Sequence, residues 1–66
     1  MDKKNIYIEK FYEFTIYALR TDVWEVYYRL EDFPMMFAFA LSKHESKDVV
    51  LETARANAES YRVMFE

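Results

Sequence analysis

Sixty-six residues make one small domain, and a chain this short buries only about 60% of the surface its unfolded form exposes. The sequence has no cysteine, no glycine and one histidine, which rules out disulfides and phosphate-cradling glycine loops and argues against a structural zinc site. A net charge of −3, from nine basic and twelve acidic residues, argues against direct binding of nucleic acid.

The longest run without a charged or hydrogen-bonding side chain is nine residues, Phe33 to Leu41, well short of a membrane span. No hydrophobic segment follows Lys3-Lys4, because Glu9 and Lys10 interrupt it. The expected compartment is therefore the cytoplasm. Six Phe, six Tyr and one Trp are the available core material. A homodimer is expected, because oligomerisation is a common support for so small a domain.

Met1 to Asn5 is polar and is expected to fray. Residues 6–19 read as one long strand, bent or bulged near Lys10. Its even positions, Ile6, Ile8, Tyr12, Phe14, Ile16 and Ala18, are apolar or aromatic, and only Lys10 breaks the series. A helix over Tyr7 to Leu19 is the competing reading, but the alternation is cleaner.

Residues 23–31 form the second predicted strand, with Trp24, Val26, Tyr28 and Leu30 on one face. The apolar faces of both strands are even-numbered, so opposed residues must sum to an even number. A three-residue loop, Thr21 to Val23, satisfies this. It pairs Ala18 with Val26, Ile16 with Tyr28 and Phe14 with Leu30.

Pro34, the only proline, breaks the chain after Glu31-Asp32-Phe33. Residues 35–42 read as a third strand with Phe37, Phe39 and Leu41 toward the core. A helix from Met35 competes, since Met, Ala and Leu favour helix. Met35, Met36 and Met64 are expected to fill core space rather than to form an adaptable binding surface.

Ser46 is the expected N-cap of a helix over 47–65, with Asp48 in its first turn. Val50, Leu51, Ala54, Ala58, Tyr61 and Phe65 form its apolar stripe. Glu52, Arg55, Glu59, Arg62 and Glu66 lie opposite, with charges alternating in sign. A shorter helix followed by a strand over 61–65 is the alternative. The predicted fold is thus α+β: a three-stranded antiparallel meander with one C-terminal amphipathic helix on one face. This order, with Asp32-Phe33-Pro34 before the third strand, resembles antitoxin domains of the HicB type in topology, but the glycines of that family are missing.

No cofactor, metal or catalytic residue is expected. His44 lies between Lys43 and Glu45 in a polar loop and reads as a solvated residue rather than a general base. Glu31 with Asp32, or Glu13 with Glu25, would need a pocket that shifts one pKa before they could act as an acid–base pair.

One helix covers one sheet face. The other face is expected to gather Tyr17, Leu19, Tyr27, Ala38 and Ala40, with Phe11 further along, and to bind a partner, with Glu13, Glu25 and Arg29 as a polar rim. The helix flank Val49, Ala56 and Val63 is a second candidate surface.

The expected function is non-enzymatic: a regulator or inhibitor that binds another protein through the aromatic sheet face or an edge strand. Small glycine- and cysteine-free chains of this kind fit phage-encoded inhibitors of host proteins. The alternative is an acidic mimic of nucleic acid that blocks a DNA- or RNA-binding protein. Interleaved basic and acidic residues count against it.

Overall fold

The computed structural model describes residues 6–65, and side chains as far as Arg62. The described residues form an antiparallel sheet and one C-terminal helix, in the order β1 (Ile6–Phe11), β2 (Phe14–Arg20), β3 (Val23–Leu30), β4 (Met36–Ser42) and α1 (Lys47–Phe65). Each strand pairs with its chain neighbour, so the sheet order is β1-β2-β3-β4.

The fold class is as the alternation predicts, but the sheet has four strands rather than three. The segment 6–19 is not one bent strand. It folds back on itself at Tyr12 and Glu13, which leave Phe11 paired with Phe14. Tyr12 has φ 56°. Positive φ at the first residue of a two-residue loop matches the right-handed twist of the strands it joins. Glycine usually fills that position; here a tyrosine does.

This turn reverses parity. Across β1 and β2 the pairs are Ile6 with Leu19, Ile8 with Tyr17 and Phe11 with Phe14. The core-facing residues of β1 are therefore Tyr7, Glu9 and Phe11. Ile6 and Ile8, predicted to share the face of Phe14 and Ile16, lie on the opposite side, and Ile8 is 63% exposed.

Between β2 and β3 the predicted register is the observed one: Phe14 with Leu30, Ile16 with Tyr28, Ala18 with Val26. The Arg20–Trp24 pair closes a three-residue loop that needs no glycine.

β4 is a strand, not a helix, and it carries a bulge. Val26 pairs with Phe39, but Tyr27 pairs with Phe37, so Ala38 is an extra residue. The bulge turns Phe37 out of the core. It is 58% exposed, whereas Phe39 and Leu41, opposite Val26 and Trp24, are half-buried against the core. Met35 and Met36 do not fill the core either; both are 48% exposed, at the end of β4 that follows Pro34.

α1 begins where Ser46 caps it: its Oγ accepts from the Val49 N–H at 3.3 Å, and its carbonyl accepts from the Val50 N–H. Val50, Leu51, Ala54 and Ala58 are buried, and Tyr61 packs against them half-exposed. The helix continues to Phe65, which removes the alternative of a C-terminal strand. The side chains of Val63, Met64 and Phe65, and all of Met1–Asn5 and Glu66, lie outside the described residues.

The core is Phe14, Ile16, Ala18, Trp24, Val26 and Tyr28 from β2 and β3 under the helix stripe. Two polar tips reach out of it to fixed partners. Trp24 Nε1 donates to the Glu45 carbonyl at 2.9 Å, which pins the loop before the helix. The Tyr28 hydroxyl donates to the Ala54 carbonyl at 2.7 Å, with Asn57 Oδ1 at 3.1 Å. Burial, with a smaller contribution from Tyr61, pushes the Tyr28 phenol far above its ordinary pKa and keeps it a donor.

Candidate functional site

Strand registers decide what the uncovered face displays. Ile8 lies beside Tyr17, Tyr17 beside Tyr27, and Tyr27 beside Phe37. These four residues form one row across all four strands, on the side away from α1. Tyr27 and Phe37 meet edge to face, with ring centroids 5.5 Å apart. Such pairs are favourable beyond their area alone.

A second row is Ile6, Leu19, Glu25 and Ala40. A third is Lys10, Thr15 and Arg29. The apolar row is thus bounded on one side by a mixed row with one carboxylate, and on the other by a row with two cations. Lys10, Thr15 and Arg29 share a shallow hollow at that end with Glu13 and Glu31.

Glu25 Oε1 accepts from the Tyr27 hydroxyl at 2.7 Å. That bond raises the phenol pKa above its ordinary value, with desolvation and the carboxylate charge acting the same way. The hydrogen bond from Tyr27 to Glu25 holds the phenol in one orientation on the row.

Of the residues the sequence nominated, Tyr17, Leu19, Tyr27 and Ala40 lie on this face. Phe11 does not. The turn at Tyr12 and Glu13 places it on the helix side, where it packs against the core. Ala38 is the bulge residue and packs against the core as well. Ile6, Ile8 and Phe37 take their place. The signal for the first two was the three-residue spacing of Phe11 and Phe14, which a two-residue turn between them brings to the same, core side. The bulge that exposes Phe37 has no comparable signal.

The polar candidates do not converge. His44 is an exposed loop residue whose backbone N–H donates to Ser42 Oγ. Glu31 and Asp32 are exposed in the turn before β4. Glu13 sits in the β1–β2 turn, where it lines the hollow beside Lys10 and Arg29 and lies 3.4 Å from Arg62 Nε, while Glu25 lies at the far end of β3 beside Leu19. Among the described residues no three His, Asp or Glu side chains stand close enough to hold a metal ion. No described helix is long and apolar enough to cross a membrane.

On the other candidate surface, Val49 and Ala56 are exposed singly, and the Val63 side chain lies outside the described residues. A hollow lined by Phe14, Leu30, Phe33, Pro34 and Met36 opens at the end of the helix side of the sheet.

The chain matches no protein-family model, no curated protein and no solved structure.

Proposed function

We propose that this chain is a non-enzymatic protein-binding module that acts as a regulator or inhibitor of its partner, and that it docks through the outer face of the sheet. One observation carries the reading: the Ile8-Tyr17-Tyr27-Phe37 row runs unbroken across four strands on the face that α1 leaves open. A monomer of this size gains nothing by holding such a row in water. Contiguous apolar surface rimmed by polar residues marks protein docking sites, and tyrosine is among the residues enriched as anchors at their centres.

The test is Tyr27→Glu, which places a charge in the middle of the row and leaves the core on the other side untouched. The variant should keep the wild-type circular dichroism spectrum. It should lose the wild-type's mass in solution, or the proteins that the wild-type chain captures from a lysate of its source cells. A Tyr27→Glu chain with both properties unchanged would place the docking surface elsewhere, with Val49 and Ala56 the next positions to change.

A further inference from the structure

Resting on that docking-face reading, we propose that the occupant of the face is a second copy of this chain, stacked sheet to sheet about a two-fold axis that runs along the Ile8-Tyr17-Tyr27-Phe37 row. The charge pattern of the face carries the inference. Glu25 and Arg29 lie two residues to either side of Tyr27 on the same strand and the same face. A two-fold axis along the row exchanges the two flanking rows. It lays Glu25 of each copy over Arg29 of the other and stacks the four apolar residues on themselves.

A two-fold axis along the strands is an alternative that also brings the two faces together. It would set Tyr17 on Tyr27 and Ile8 on Phe37, but it would also press the Glu25 carboxylate onto Leu19. There the carboxylate would keep only the hydroxyl of its own Tyr27 as a partner, and burying a charge without a counter-charge is costly. The row-parallel axis instead gives two symmetric Glu25–Arg29 pairs, as an isologous interface requires.

Arg29 is exposed and makes no ion pair among the described residues, although Glu31 and Glu13 line the same hollow. Its guanidinium is therefore available across the interface. Ala40 beside Glu25 is small enough for the long Arg29 side chain to pass. Lys10 would meet Ile6 at the β1 edge, where its ammonium can reach water while its stem covers the isoleucine. The face is about 20 Å across, from four strands about 4.8 Å apart. That is the small end of specific interfaces, so the expected dissociation constant is on the order of micromolar.

The experiment is sedimentation equilibrium of the full chain across a concentration series. The wild type should dimerise. Arg29→Glu and Glu25→Arg should each weaken dimerisation at least about tenfold, because like charges then face each other twice per dimer. The double variant Glu25→Arg/Arg29→Glu should return to within about threefold of wild type, because the pairs re-form with reversed polarity. Glu52→Arg on the exposed helix face makes the same charge change and should have no effect. Glu25→Gln and Arg29→Gln, milder changes, should weaken dimerisation less than the reversals and guard against a reversal that disturbs folding.

A wild-type chain still monomeric at about 500 μM overturns the second copy as occupant. So does a double variant no better than the single ones. If the wild type is monomeric but captures another protein in a Tyr27-dependent way, the docking face stands and the two-fold dimer falls. If Tyr27→Glu changes neither mass nor capture, both fall.

Discussion

Tyr12 shows how one residue can redirect a sheet. Its φ of 56° is the only positive value among the described non-glycine residues, and left-handed backbone costs an L-residue with a Cβ roughly 1–2 kcal/mol. The ring is held on two sides. Its edge meets Phe11 with centroids 4.8 Å apart, and the Arg62 guanidinium carbon lies 3.7 Å from its centre. Arg62 is itself fixed by Glu59 at 3.1 Å and Glu13 at 3.4 Å. Tyr12→Gly loses the ring contacts but relieves the backbone, and should leave the urea midpoint nearly unchanged. Tyr12→Val loses the ring, keeps the strain and adds a β-branch, and should cost about 1–2 kcal/mol. Equal midpoints for the two variants would show that the turn does not depend on left-handed geometry.

At the scale of elements, the helix and β4 follow different logic. α1 lies over β2 and β3 because Ala54 and Ala58, both fully buried, bring its backbone close to the sheet. Ala54→Leu should overpack that contact and cost about 1–3 kcal/mol in a denaturant melt. Ala56→Leu on the exposed side of the same helix should stay within about 0.5 kcal/mol of wild type. Similar costs at both positions would contradict the seating of the helix. β4 is placed by its pairing to β3 rather than by the helix. Its bulge at Ala38 splits the two phenylalanines, one to each face of the sheet. An alternation of Phe37, Phe39 and Leu41 reads as a single face only if every residue of the strand is paired.

Across the whole molecule, the edge strand β1 is tied to the helix by charge. Arg55 grips Glu9 with two donors, Nη2 reaching Oε1 at 2.9 Å, and the residues are 46 positions apart. The Arg55 hydrogen bond lowers the Glu9 pKa below its ordinary value of 4.5, and partial burial only opposes it. A depressed carboxylate stabilises the fold above its unfolded pKa and loses that contribution as pH falls through the folded value. Glu9→Gln should therefore be less stable than wild type at pH 7, with the gap closing toward about pH 2. A gap independent of pH would mean that Glu9 acts through packing rather than charge. The interaction is partly exposed, so salt should narrow the gap at neutral pH as well.

The fold class, the register of β2 against β3, the Ser46 cap and the helix stripe from Val50 to Tyr61 are all legible in the chain. Each rests on a period or parity that neighbouring residues enforce on one another: alternation along paired strands, 3.6 residues per turn along a helix, and an even sum across a hairpin with a three-residue loop. Long-range packing sets the rest: residues 6–19 are two strands, Ile6, Ile8 and Phe37 face outward, and Phe11 and Ala38 pack against the core. Those outcomes depend on where parity breaks. A tyrosine can take a glycine's place in a turn when Phe11 and Arg62, the latter 50 residues away, hold its ring. A bulge can absorb Ala38 when β3 holds both phenylalanines in register. The bulge leaves no local mark in the chain, and the turn shows only in the spacing of Phe11 and Phe14, because β3 and Arg62, which support the two breaks, lie outside the segments that carry them.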